Sequence, residues 1–234
     1  MVEITDTTTW FWIGAVGMFA GMVVFVASGV RSDDETRKYY GVIAAVAFIA
    51  SAAYAAMALG IGSLESDGVT VYLPRYADWL ITTPLLILDL GLLAGVNKKT
   101  YAALIGSDVA MIGSGVAASL STSWVKYVYF GVGSVAYVVL LYLLMRTLSD
   151  AARGRGVASL FQKLRNLTVV LWSVYPVVWL VGPYGTGLLE PATETIIILY
   201  LDLITKVGFG FILVNSHDVL SSIRTPSTAD VAET

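Results

Sequence analysis

Cysteine is absent from the 234 residues, and histidine occurs once, at His217. The first absence excludes disulfides, thiolate chemistry and cysteine-based metal sites; the second excludes a histidine-rich metal centre. Charge is scarce too. Only 13% of residues are charged, where a soluble domain carries about 25%. The net charge of −3 leaves no basic footprint for nucleic acid. What the chain has in excess is apolar: 57% of residues are hydrophobic and the mean hydropathy is +0.77. One soluble core does not absorb such an excess, whereas an outer surface facing lipid does. The length allows one domain or two.

A helix crosses the bilayer core with about 20 mostly apolar residues. Seven stretches reach that length, approximately Trp10–Val30, Tyr40–Ile61, Arg75–Leu93, Thr100–Ala118, Ser123–Leu148, Ala158–Val181 and Pro191–Leu220, here segments A to G. The connections read as short polar loops. The expected architecture is all-α, a seven-transmembrane-helix bundle over residues 1–221 followed by a polar cytoplasmic tail over 222–234. The start, Met1 to Asp6, has no basic region, so segment A reads as a span rather than a signal peptide. Intramembrane glycines such as Gly17 and Gly21 read as helix-packing positions.

Loop cations set the orientation. Arg31, Arg37 and Lys38 follow A, Lys98 and Lys99 follow C, and Arg146, Arg153, Arg155, Lys163 and Arg165 surround the E–F loop, with Arg224 in the tail. The N-terminal stretch and the B–C and F–G loops carry Glu3, Asp6, Glu65, Asp67 and Glu190 instead. The N-terminus is therefore placed outside and the C-terminus inside. The acids Asp33, Asp34 and Glu35 beside Arg31, Arg37 and Lys38 read as a solvated face, and His217 as a helix-end residue.

Ionisable groups inside a bilayer are costly and point to function. Five stand out: Asp78 and Asp89 in C, Asp108 in D, Asp202 and Lys206 in G. Helix-to-helix hydrogen bonding is the competing explanation, and it suits Asp108 best. Asp202 and Lys206 are four residues apart and share one helix face. Asp78 and Asp89 are eleven apart, which is about 20° from whole turns and about 16 Å along the axis. Segment C thus presents Arg75, Asp78, Thr82 and Asp89 as a ladder of proton-capable groups from outside to inside. Lys206 lies about 18 Å beyond Glu194 along G, near the membrane midplane. A buried lysine amine is the nucleophile of Schiff-base formation. Once condensed and protonated it is a buried cation, and Asp202 and Asp78 are the counterions available. Anything that moves that cation releases its proton to the nearer acid. Trp79 in C and the F-segment stripe of Trp172, Tyr175 and Trp179, with Pro176 among them, supply walls for a long apolar chromophore.

These residues resemble a family. The runs Arg75-Tyr-Ala-Asp78-Trp79-Leu-Ile-Thr82-Thr83-Pro84, Arg165-Asn-Leu-Thr-Val-Val-Leu-Trp172-Ser-Val-Tyr175-Pro176-Val-Val-Trp179 and Leu201-Asp202-Leu-Ile-Thr205-Lys206-Val-Gly-Phe-Gly resemble those of the microbial rhodopsins, specifically the haloarchaeal ones. The resemblance runs from Trp10 to about Leu220. It implies retinal, all-trans in the dark, joined to Lys206 as a protonated Schiff base. It implies Asp78 as primary proton acceptor and counterion, Asp202 as second counterion, Arg75 as link to the outer surface, Thr82 as the hydroxyl bonded to the acceptor, and Asp89 as inner proton donor. Trp79, Thr83, Met111, Gly115, Phe130, Gly133, Trp172, Tyr175, Trp179 and Thr205 match the retinal pocket. Tyr54 and Tyr175 match tyrosines bonded near the second counterion, and Asp108 a polar residue near the pocket.

The chain also departs from the pump pattern. Outward proton pumps carry two outer glutamates; Glu194 matches one, and Tyr184 stands at the other. Thr205 precedes the retinal lysine where pumps usually have alanine. Thr205, Tyr175, Tyr200, Gly133 and the run Thr9-Trp-Phe-Trp-Ile-Gly-Ala-Val-Gly-Met resemble phototaxis receptors of the sensory rhodopsin II type. Glu190 stands where those receptors often have threonine, and receptors usually lack the acid at Asp89. The mixture looks most like the intermediate group called middle rhodopsins. It implies a blue- to blue-green-absorbing photoreceptor, not an enzyme, with weak outward proton transport. The alternative is a dedicated light-driven outward proton pump. A third reading, a dark proton-coupled transporter with a free Lys206 amine, demands a colourless protein. The partners implied are membrane lipid, a two-helix transducer at F and G, and further copies of the chain as a trimer.

Overall fold

The computed structural model describes residues 6–153 and 155–221. The expected polar tail, with Arg224, and Glu3 lie outside the described residues. Seven helices are long and apolar enough to cross a membrane: α1 (Thr7–Val30), α2 (Asp34–Ala58), α3 (Leu73–Ala94), α4 (Lys98–Leu120), α5 (Val125–Ala152), α6 (Ala158–Val181) and α7 (Pro191–Val214). They correspond to segments A to G. A short α8 (His217–Ser221) follows a turn at Asn215 and Ser216, so segment G is not one helix to Leu220 as expected.

The helix ends follow local chemistry. The Asp6 carboxylate accepts from the Thr8 and Thr9 N–H groups, Asp33 from Thr36, and Asn97 from Thr100, each satisfying donors that a helix start leaves open. The Thr36 N–H holds the Asp33 carboxyl below its ordinary value. The acidic run at 33–35 is therefore more than a solvated face: Asp33 starts α2 six residues before the apolar run that suggested segment B. Asp34 and Glu35 do form exposed ion pairs with Arg37 and Lys38. Pro74 and Pro191 sit in the first turns of α3 and α7, where a missing N–H costs nothing.

The connection between α2 and α3 is a second departure from expectation. It holds the two strands found among the described residues, β1 (Ser63–Ser66) and β2 (Val69–Tyr72), paired antiparallel with Ser66 opposite Val69. Asp67 (φ 53°) and Gly68 (φ 74°) make the tight turn. Two consecutive left-handed residues match the right-handed twist of a hairpin. Val71 of β2 is buried against Tyr76 and Tyr184, and the Tyr184 hydroxyl donates to the Thr70 carbonyl at 3.0 Å. The hairpin and the α6–α7 loop thus cover the end of the bundle that the loop charges place outside.

The largest buried cluster fills the opposite half, with Phe25, Ile43, Leu90, Leu144, Leu164 and Phe209 among its members. Small residues let α1 approach α7. A Cβ at Gly17 would meet Leu203, and one at Gly21 would meet Val207. On α5 the side chains of Val128, Val132, Val135 and Val139 are exposed along one stripe, as a lipid-facing surface requires.

Three irregularities bear on the site. The winding of α5 widens over Leu143–Leu148, and that of α7 over Leu203–Gly208, which contains Lys206. Such wide turns recur at functional sites. Helix α6 is broken between Trp172 and Val174, three residues before Pro176. A proline ring removes a donor and crowds the carbonyl one turn back, here that of Trp172.

Candidate functional site

Lys206 is buried at the centre of the bundle. Its Nζ contacts Oδ2 of Asp78 from α3 and stands 3.7 Å from Oδ2 of Asp202, one turn back on α7. The wide turn has not separated the pair expected at helical spacing. Asp202 is met by donors on both oxygens. Tyr54 donates to Oδ2 at 2.8 Å, Tyr175 to Oδ1 at 2.7 Å, and the Trp79 indole to Oδ1 at 3.2 Å. Asp78 is held less fully, because its Oδ1 has no partner among the described residues. The Thr82 hydroxyl, expected on the Asp78 carboxylate, lies beside it and donates to the Asp78 backbone carbonyl at 2.8 Å. A threonine inside a helix readily satisfies itself on the carbonyl four residues back.

A cavity lined by Lys206 lies between α3, α4, α5 and α6. Its walls include Trp79, Thr83, Met111, Gly115, Phe130, Gly133, Trp172, Tyr175, Trp179 and Thr205, and also Tyr76, Leu86, Ile112, Ser134, Tyr137 and Pro176. Phe130 stacks on Trp179 with ring centroids 4.8 Å apart. A Cβ on Gly115 would meet open space, whereas one on Gly133 would approach the Met111 carbonyl at 3.3 Å. Gly133 thus also brings α5 onto α4. An amine at one end of an aromatic-walled apolar trough, with an acid beside it, fits a long polyene aldehyde.

The rest of the α3 ladder is buried: Arg75, Asp78, Thr82 and Asp89 are each at most 3% exposed. Arg75 has its Nη1 3.5 Å from Glu194 Oε1 and its guanidinium over the Tyr72 ring. Tyr184 lies in the same outer region, and burial pushes its phenol above the ordinary tyrosine value. Asp89 has no hydrogen-bond partner on either oxygen among the described residues.

Asp108 of α4 meets Thr83 of α3 at 2.7 Å, and the same Thr83 hydroxyl lies 2.7 Å from the Trp79 carbonyl. One hydroxyl carries one proton. Both contacts are satisfied when Thr83 donates to the carbonyl and a protonated Asp108 donates to Thr83. Asp108 thus joins α3 to α4 beside the cavity.

Thr205 donates to the Asp202 carbonyl at 3.2 Å, and its oxygen lies 3.5 Å from the Tyr175 hydroxyl. Tyr200 is 54% exposed on α7. At the inner end, Tyr40 lies 3.5 Å from His217 Nδ1. Two polar knots escaped the reading of the sequence. Ser119 of α4 holds Tyr76 of α3 at 2.5 Å and the Trp179 indole of α6 at 2.8 Å. Tyr137 of α5 lies 2.9 Å from Ser173 of α6. Serines and tyrosines are common in membrane helices, so no spacing singles these out.

Comparison with known proteins agrees with this geometry. The family described as bacteriorhodopsin-like protein matches residues 5–220. A sensory rhodopsin-2 of Natronomonas pharaonis is 41% identical over 96% of this chain and 95% of its own. A bacteriorhodopsin of Haloterrigena is 48% identical over 94% and 92%. The crystal structure of a thermophilic rhodopsin from Rubrobacter xylanophilus superposes with a TM-score of 0.91 at 40% identity, over 93% of this chain and 99% of that one. The chain belongs to the bacteriorhodopsin-like family of microbial rhodopsins. It is a multi-pass membrane protein, light-activated through a retinal chromophore on the Schiff-base lysine, and not an enzyme. The relatives fall on both sides of the division between receptor and pump.

Proposed function

We propose that the protein is a photoreceptor of the sensory rhodopsin II or middle rhodopsin type, with light-driven proton transfer to Asp78 and weak outward proton transport. The observation that carries the receptor reading is the Tyr175–Thr205 pair. The two hydroxyls are 3.5 Å apart on α6 and α7, beside the amine that responds to light, so a displacement there is passed directly to two helices. Retinal, attached at Lys206, supplies a light-driven isomerisation that reorients the N–H bond. The chain's own residues do the rest. Asp78 Oδ2 takes the proton from Nζ. Asp202, held by Tyr54, Tyr175 and Trp79, remains the fixed counterion. Arg75 and Glu194 lie on the outward side of Asp78 and form the way out.

Asp89 supports the pump as second reading. It shares the Asp78 face of α3 and is fully buried. A carboxyl there, with no ion pair among the described residues, is cheapest as the neutral acid, which suits a stored proton for the return step. The face of α6 and α7 that exposes Tyr200 is the place for a two-helix transducer.

The deciding experiment is a light-induced pH measurement on cells expressing the chain alone, with Asp89→Asn beside it. Little steady acidification and a slow photocycle support the receptor. A large, uncoupler-sensitive acidification with fast turnover supports the pump. If Asp89 is the donor, Asp89→Asn slows return of the proton to Nζ and azide restores it. An unslowed return removes that role.

A further inference from the structure

Helix α6 is fastened to its neighbours at unequal intervals. Its outer half is held by Tyr175 on Asp202 and by the Trp179 indole on Ser119, at 2.7 and 2.8 Å. Its inner half is held by Arg165 on Ser149 of α5. Between them lies the break at Ser173, and one side chain meets both the break and the turn on its inner side. The Tyr137 hydroxyl lies 2.9 Å from Ser173 Oγ and 3.4 Å from the Val169 carbonyl. Ser173 Oγ is itself 2.7 Å from that carbonyl. Ser173 has a single proton, and the carbonyl can only accept. The two shortest contacts are satisfied together when Ser173 donates to Val169 and Tyr137 donates to Ser173.

Tyr137 also has a second face. Tyr137 lines the same cavity as Lys206, whereas Ser173 does not. We propose that Tyr137 is a positioning residue that pins the α6 hinge and reports the content of the cavity to it. Pressure on the ring draws the hydroxyl off Ser173 and frees the inner half of α6 to swing about the broken turn, while the outer half stays fixed. The pin gates the step that follows proton loss from Nζ, because access from the inner side needs that half to move. The inference rests on the light-activated reading above.

The test uses the full chain in lipid, reconstituted with retinal, as the unmodified protein, Tyr137→Phe, Ser173→Ala, the double variant and Ser173→Thr. Return of the proton to Nζ is followed as recovery of visible absorbance after a flash. Loss of one neutral hydrogen bond from the closed state should speed that recovery by about three- to ten-fold. The two single changes should act alike, and the double variant should be no faster than either. Ser173→Thr, which keeps the hydroxyl, should return the rate to that of the unmodified chain. Unchanged rates in coloured single variants, or effects that multiply in the double variant, overturn the pin and leave the functional reading intact. A colourless unmodified chain overturns that functional reading, and the pin with it.

Discussion

Lys206 meets Asp78 through one carboxylate oxygen, and the other oxygen faces no partner among the described residues. Asp202, by contrast, is met by two tyrosines and a tryptophan. The less satisfied acid is the one in direct contact with the amine. A proton leaving Nζ therefore moves to Asp78, and the hydrogen-bonded acid keeps its place. In Asp78→Asn the pigment should still form, since Asp202 remains as counterion. Light-driven proton loss from Nζ should slow at least about a hundred-fold, the usual worth of a positioned acid or base. Flash absorbance measures this, and a rate like that of the unmodified protein would remove Asp78 as acceptor.

Both Thr83 contacts are fully satisfied when Asp108 carries a proton. The infrared spectrum should therefore contain a carboxylic-acid C=O stretch that vanishes in Asp108→Asn and shifts in Thr83→Val. Because the pair joins α3 to α4 in the interior, each change should also destabilise the protein by about 1–3 kcal/mol, the cost of a buried group left unpaired. A spectrum with only carboxylate bands assignable to Asp108 would overturn the proton assignment.

Tyr184 occupies the outer region near Arg75 with its hydroxyl committed to the Thr70 carbonyl. Burial raises its phenol above the ordinary tyrosine value, so it stays neutral throughout the working pH range and has no proton to give. Release to the outside should therefore come late in the cycle. A pH-indicating dye in the medium should report it after, not with, proton loss from Nζ. Tyr184→Glu places a second acid beside Glu194 and should bring release forward. Early release in the unmodified protein would show that Glu194 suffices alone.

The spans and the central triad were legible because both are contrasts. Long apolar runs stand out from polar loops, and Asp78, Asp202 and Lys206 stand out inside apolar runs. Helical spacing then placed Asp202 beside Lys206, and Asp78 entered as the other buried acid available to the cation. The start of α2 was obscured because Asp33 caps a helix whose first turn is charged, and hydropathy begins only at Tyr40. The hairpin was obscured because its signal is two residues, Asp67 and Gly68, within the fourteen-residue connection between Ala58 and Leu73. Thr82 shows a different limit. Its position was evident from spacing, but the choice between a carboxylate and a backbone carbonyl depends on a single side-chain rotation. Ser119, Tyr137 and Ser173 carry no charge, so only the packed bundle reveals what they hold.

Gly210 on α7 tests the packing that keeps these groups in place. A Cβ there would put three carbons of the fully buried Phe25 ring at 2.7 Å or less. The ring belongs to the main core cluster and has nowhere open to go. Gly210→Ala should cost about 1–3 kcal/mol, as overpacking does, and lower the temperature at which the pigment bleaches in the dark. Gly41 on α2 is the matching control, with nothing within 4 Å of its added Cβ. There alanine should leave the bleaching temperature unchanged or raise it, since a helix interior favours alanine over glycine by about 1 kcal/mol. Equal effects at the two positions would mean that the α1–α7 contact is not close-packed.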